Sequence, residues 1–208
     1  MIRSSHVMAN EKVIVFVKAP RLGTVKTRLG QTMGPEAACA AYRRLVETLL
    51  QALSSLPEVE LRFAPDDAEK EIQSWLRKGW RARPQGAGDL GQRMQTAFAD
   101  AFTEDASRVV IVGSDCPEVV AGDIRQAWNE LKSYDVVIGP AIDGGYWLIG
   151  LTGEQHGLFQ NIPWSSENVL AETLRRAKET GLRVQLLRIL SDVDTEKDWK
   201  AFLDSSLD

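Results

Sequence analysis

Five consecutive apolar residues, Val13-Ile14-Val15-Phe16-Val17, four of them β-branched, leave no polar face for solvent. A strand of that composition belongs inside a sheet covered on both sides, the arrangement of largely parallel sheets in α/β proteins. From Val13 onward short β-like runs alternate with segments of helical periodicity, as an α/β layer fold requires. Pro35 sits where a first helical residue belongs, and Ala38, Tyr42, Leu45, Leu49, Ala52 and Leu56 recur behind it at helical spacing, which predicts a long amphipathic helix. Strands are expected at 59–63, 80–83, 109–112, 136–138, 146–151 and 184–189. Helices are expected at 68–76, 90–102, 123–131 and 167–178, with a last one carrying Trp199 and Phe202. Between the strands at 136 and 146 the turn Asp143-Gly144-Gly145 suggests a hairpin, so the sheet is expected to be mixed.

A chain of 208 residues with 44% hydrophobic content can bury one sizeable core without disulfide staples. No repeat, linker or low-complexity stretch divides it, so residues 11–208 read as a single domain behind a flexible extension at 1–10. That extension has no apolar core of the secretory type, and no apolar run is long enough to span a bilayer. Two distant cysteines, Cys39 and Cys116, make neither a disulfide framework nor a metal knuckle, which suits a cytoplasmic protein. A net charge of −4 argues against a broad grip on nucleic acid. With only His6 and His156 present, hydrolases built on Ser-His-Asp or Cys-His are hard to assemble.

Four segments carry chemistry. The loop after the first strand holds Lys18, Arg21, Lys26 and Arg28 around Gly23, a set able to hold a diphosphate while the glycine lets the backbone approach. A solvated basic loop is the plainer alternative. Gly113-Ser-Asp-Cys-Pro follows the strand at 109–112, where Asp115 either ligates a hard divalent cation or caps the next helix. The Asp-Gly-Gly turn projects Asp143, or is simply a turn. Ser191-Asp-Val-Asp-Thr offers alternating carboxylates that complete a metal site, or an N-cap at Asp194 or Thr195. A competing match, Gly86-x-Gly88-x-x-Gly91 before a helix, has the spacing of a dinucleotide fingerprint, but the segment before it is polar and ends in proline.

In order, Lys18-x-Pro-x-x-Gly-x-Val-Lys-Thr-Arg-Leu, Gly88-Asp-Leu-Gly-x-Arg-Met, Gly113-Ser-Asp-Cys-Pro and Asp143-Gly-Gly-Tyr-Trp-Leu-Ile-Gly-Leu resemble the GT-A-like transferases of the DUF2064 type, often labelled glycosyltransferases. The resemblance runs from about Lys12 to Phe202. It implies a single-domain nucleotide-diphospho-sugar transferase (GT-A) fold. A more distant similarity is to the guanylyltransferases of molybdenum-cofactor and phospholactate pathways. On that analogy Lys26 and Arg28 bind phosphates, and Asp115 and Asp194 hold Mg²⁺ or Mn²⁺. The segment from Gly86 through Gly88 and Asp89 to Arg93 faces the nucleotide or donor. Ser-Asp-Cys-Pro departs from the Asp-x-Asp of typical glycosyltransferases.

The reading is a metal-dependent transferase with a nucleotide-activated donor and a small-molecule acceptor, Asp143 contacting the acceptor as the candidate base. Sugar transfer comes first and nucleotidyl transfer to a phosphorylated acceptor second. An NAD-dependent oxidoreductase and a non-catalytic nucleotide-binding module follow.

Overall fold

The computed structural model describes residues 10–205. The expected extension therefore lies outside the described residues except for Asn10, whose carbonyl accepts from the Ser107 N–H at 2.8 Å. Seven strands form one mixed sheet: β1 Glu11–Lys18, β2 Val59–Ala64, β3 Arg81–Pro84, β4 Arg108–Gly113, β5 Val136–Pro140, β6 Tyr146–Leu151 and β7 Val184–Leu186. Their order is β3-β2-β1-β4-β6-β5-β7. All run parallel except β6, which is antiparallel to both neighbours. The apolar run at Val13 thus becomes an interior strand between β2 and β4.

Its alternate residues feed two cores, one on each face of the sheet. Val13, Val15 and Val17 join the core that contains Tyr42, Val46 and Leu49 of α2 (Pro35–Ala52) and Ile124 and Trp128 of α5 (Ala121–Glu130). Ile14 and Phe16 face the opposite side, with Met94 and Phe98 of α4 (Leu90–Thr103) and Ala177 of α6 (Val169–Glu179). A third cluster joins Leu29 of α1 (Thr27–Met33) and Leu45 of α2 to Trp199 of α7 (Glu196–Ser205). The α4 face is ionic under β1, β2 and β3. Lys12 bonds Glu104 at 2.7 Å, and buried Arg62 reaches Glu60 at 2.5 Å and Asp100 at 2.7 Å. Leaving any one of these charges unpaired in the interior would be costly, which ties α4 to the three strands.

Three local differences from the sequence reading have physical reasons. The first is a helix, α1, inside the segment read as loop: its Thr and Gly content is a poor helical signal, and packing of Leu29 and of Gly30 against Ala38 supplies what propensity lacks. The helix expected at 68–76 is one α turn, α3 (Glu69–Ile72), continued by a 3₁₀ turn at Gln73–Trp75. The strand expected at 184–189 stops at Leu186. Beyond it, N–H groups of Leu187 and Leu190 donate to the carbonyls of Ile138 and Pro140, so the chain leaves the ladder while still following β5.

From β1 the chain steps outward to β2 and β3, then returns past β1 to begin β4 on its other side. That reversal falls between the carboxyl ends of β1 and β4, the position at which open α/β sheets receive ligands in a crevice.

Candidate active site

Because β6 runs opposite to its neighbours, the ends of β1, β4, β5 and β7 and the start of β6 share one sheet edge. Three of the four chemistry-bearing segments meet there closely. Asp115 leaves β4, and its carbonyl accepts from the Val193 N–H at 3.0 Å, while the Cys116 thiol donates to the Ser191 carbonyl at 3.4 Å. These two bonds fasten the β4 turn to the segment before α7. Lys26, at the end of the basic loop, extends its ammonium between them: 2.6 Å from Asp115 Oδ1 and 2.9 Å from Asp194 Oδ1. Its side chain is only 3% exposed, against 49% and 43% for the two carboxylates.

Holding Lys26 there costs backbone strain, since φ 46°, ψ 49° is a left-handed conformation that a residue with a Cβ adopts at roughly 1–2 kcal/mol. The alternative role for the late carboxylates is also decided by geometry. Thr195 caps α7: its hydroxyl accepts from the Asp198 N–H at 3.3 Å and the Asp198 carboxylate accepts from the Thr195 N–H at 2.8 Å. Asp194 is then left to Lys26 and the crevice.

Two further carboxylates border the pair. Burial is the main reason the Asp192 carboxyl is pushed up to about 7, with Asp115, Asp143 and Asp194 adding repulsion and Lys26 opposing it. Asp192 stood in the Ser-Asp-Val-Asp-Thr segment, but the alternation of carboxylates did not show which of the two would be desolvated. Asp143 is exposed, and its Oδ1 accepts from the Gly145 N–H at 2.9 Å. Gly144 sits at φ +88°, and a Cβ there would lie 2.1 Å from the Glu167 carbonyl oxygen, so the turn is clamped against the segment leading into α6.

Sequence inspection did not single out Tyr42. It is buried on α2, and its hydroxyl accepts from the Lys18 N–H at 2.7 Å and shares a 3.0 Å bond with the Ser114 hydroxyl. One phenol thus braces the start of the basic loop against the residue preceding Asp115. Its only sequence signal was a hydroxyl-bearing ring on the apolar face of the long helix.

The other cations divide. Arg21 is held by Glu71 at 2.6 Å and Asp67 at 3.0 Å, which anchors the loop to α3 rather than to the carboxylates. Lys18 and Arg28 are exposed, and their side chains form no ion pair among the described residues. Gly23 takes φ +72° with open space where a Cβ would stand. Gly86, Gly88, Asp89 and Arg93 lie past the edge strand β3, two strands away from β1. There the Asp89 carboxylate caps α4 through the Gln92 N–H at 2.9 Å, and Arg93 Nε donates to the Gly88 carbonyl at 2.9 Å. Gly91 packs under Trp164. The dinucleotide-like spacing therefore serves a helix cap and a ring contact, while Arg93 Nη1 also lies 3.4 Å from Gln85 Oε1, and Gln85 Nε2 donates to the Val17 carbonyl of β1 at 3.0 Å. Burial pushes the Cys116 thiol up to about 12, so it stays protonated and is no nucleophile.

Among the described residues no three His, Cys, Asp or Glu form a metal-binding group. None of their helices is long and apolar enough to cross a membrane.

Sheet order, the lone antiparallel strand and the crevice at the reversal define the fold of nucleotide-diphospho-sugar transferases. A Desulfovibrio desulfuricans protein named for that class superposes with a TM-score of 0.88 at 35% identity, over 96% of this chain and 88% of its own. The chain belongs to the DUF2064 family, described as uncharacterized proteins conserved in bacteria, whose model matches residues 48–166. Two more distant structures share the fold alone. One is 4-diphosphocytidyl-2C-methyl-D-erythritol synthase from Anaerococcus prevotii (TM-score 0.62, 12% identity, 95% of this chain and 99% of that one). The other is the manganese complex of Rv0371c from Mycobacterium tuberculosis (TM-score 0.58, 16% identity, 94% and 99%). No curated protein matches the chain in sequence.

Proposed function

We propose that the chain is a metal-dependent transferase that takes a nucleotide-activated donor, first a nucleotide sugar, and passes its group to a small acceptor. The observation that carries this reading is the meeting of Asp115, Asp194 and Lys26 at the crevice where the strand order reverses. Relatives named for nucleotide-sugar and cytidylyl transfer support it, as does a fold neighbour that holds manganese.

The donor set suits a hard divalent cation. Two carboxylate oxygens already converge on one positive charge, and Mg²⁺ commonly takes one or two carboxylates, with phosphates and waters completing its shell. Asp115 and Asp194 would hold it. Bound there, it would neutralise charge on the donor phosphates as the leaving group departs.

The chain's own residues supply the rest. Lys18, the last residue of β1, and Arg28, in the first turn of α1, are both exposed and bind donor phosphates, and Lys26 joins them from the segment between. Asp143, on the clamped turn, receives the proton of the acceptor hydroxyl. Nucleotidyl transfer is the second reading, favoured by Lys18 and Arg28, whose side chains form no ion pair among the described residues and suit a triphosphate donor and departing pyrophosphate.

A thermal-shift panel of nucleotide sugars and nucleoside triphosphates, with and without Mg²⁺ or Mn²⁺, tests both, because a ligand of the native state raises its stability. Stabilisation by nucleotide sugars in the presence of metal supports the first reading, and stabilisation by triphosphates alone moves it to the second. No shift with any nucleotide removes both.

A further inference from the structure

Lys26 is the one cation of the basic loop that points into the carboxylates rather than out of the loop. Its ammonium lies within 2.6 and 2.9 Å of the two oxygens assigned above to a metal, and its side chain is nearly sealed from water. A left-handed backbone at Lys26, φ 46°, delivers it there. Mg²⁺ sits at about 2.0–2.1 Å from its oxygens, so the two carboxylates would need to draw in by about 1 Å or less to close on it. The cation position and the ammonium position are then the same place. Two positive charges cannot share it, because like charges a few ångströms apart in a partly buried site repel strongly.

We infer that Lys26 is an internal counter-cation, which holds the position between Asp115 and Asp194 and yields it to a divalent metal only when donor phosphates draw the ammonium away. The inference rests on the metal-dependent reading and assigns that site an order of binding. A displaced ammonium needs an anion to receive it, and phosphates bound by Lys18 and Arg28 of the same loop provide one. Without phosphate, metal entry must break both ion pairs and strand the ammonium against a cation. Metal alone is therefore bound weakly, and metal with nucleotide tightly, with the reciprocal enhancement that linkage demands.

The decisive variant is Lys26→Met, which keeps much of the side chain's length and removes its charge. A lysine that only binds phosphate predicts weaker nucleotide binding and unchanged affinity for metal alone. A counter-cation predicts the opposite sign for metal: the two carboxylates lose their competitor, and Mn²⁺ alone should bind at least about ten-fold more tightly than to the parent. Protein-bound Mn²⁺ is read by equilibrium dialysis with electron paramagnetic resonance, first with the metal alone and then with an equimolar mixture of ADP, GDP, CDP and UDP. The mixture should raise Mn²⁺ affinity in both proteins through phosphate ligation of the metal, and by a clearly larger factor in the parent, whose ammonium it also draws away. Circular dichroism reports folding, and if Lys26→Met fails to fold, Lys26→Gln carries the same expectation.

Equal Mn²⁺ affinity in the parent and both neutral variants overturns the inference. If at the same time Asp115→Asn abolishes nucleotide-assisted Mn²⁺ binding, the metal site stands and only its gating falls. Absence of Mn²⁺ binding in every protein, with or without nucleotides, removes the metal site and the inference together.

Discussion

Replacing Gly144 by Ala puts the turn that carries Asp143 to a quantitative test. Two costs add. At φ +88° an L-residue with a Cβ is strained by roughly 1–2 kcal/mol. The new methyl would also lie 2.1 Å from the Glu167 carbonyl oxygen and 2.6 Å from its carbon. Backbone cannot turn aside as a side-chain tip does, so the segment entering α6 must move, at about 1–3 kcal/mol for overpacking. The total is about 2–5 kcal/mol, and for a chain of this size each kilocalorie lowers Tm by about 2–4 °C. Thermal unfolding of Gly144→Ala should therefore show a fall of roughly 4–20 °C. Gly145→Ala is the control: it is not left-handed, and the atoms nearest its Cβ would be those of the Asp143 carboxylate, the closest being Oδ1 at 3.1 Å. It should lose less than about 1 kcal/mol while pressing on the carboxylate, so its turnover falls with stability kept. A Gly144→Ala protein melting within about 2 °C of the parent, or equal losses in the two variants, would refute the clamp.

Asp143→Asn should lower turnover at least about ten-fold while leaving the donor dissociation constant unchanged, the pattern of a contact used mainly in the transition state, and steady-state kinetics beside calorimetry reads it. Lys26→Ala combined with Arg28→Ala should weaken nucleotide binding by about a hundred-fold in isothermal titration with the fold intact, and undiminished affinity would clear the loop of phosphate binding. Asp115→Asn should remove the mutual enhancement of metal and nucleotide binding, and calorimetric titrations with and without Mg²⁺ check it. Glu104, held down to about 2 mainly by its bonds to Lys12 and then Arg83, contributes stability that is present above its ordinary value near 4.5 and lost as pH falls toward 2. The parent should accordingly lose more Tm between pH 7 and pH 3 than Glu104→Gln does.

The elements with a strong period were legible in the residues. Val13 to Val17, the helix behind Pro35 and the hairpin at Asp143 appear as expected, because each has a local signal that tertiary packing reinforces. What escaped was decided by contacts. Helix α1 depends on Leu29 meeting the cluster around Trp199, and β7 ends early because the following carbonyl and N–H groups track β5 without a ladder. At the site, position along the chain showed which carboxylates end strands. It could not show that Arg21 would be taken by Glu71 and Asp67, or that Lys26 would turn inward, since both follow from where α3 and α7 come to rest. Tyr42 was hidden for a related reason: on a helical face an aromatic residue reads as core, and only the structure aligns its hydroxyl with Lys18 and Ser114.

On the proposed reading the loop's four cations, alike in the sequence, carry three separate duties, and the electrostatics of the site explain why. Asp115, Asp143, Asp192 and Asp194 crowd one region, and their repulsion together with burial is what raises Asp192. A single ammonium, Lys26, stands among them as compensation, so the cluster retains excess negative charge whenever its carboxylates are ionised. Such a region would repel phosphates on its own. It becomes hospitable to them only if a further positive charge enters or if cations stand between it and the ligand. On the proposed reading Lys18 and Arg28, both exposed, meet the second condition, and a divalent ion would meet the first. Arg21 serves neither, but by fastening the loop to α3 it holds Lys18 at one end of the loop and Lys26 and Arg28 at the other. Its replacement should thus weaken phosphate binding through the loop's disorder rather than through a lost contact. That separates it from Arg28, because added Mg²⁺ can offset a missing charge but cannot restore a loop's position.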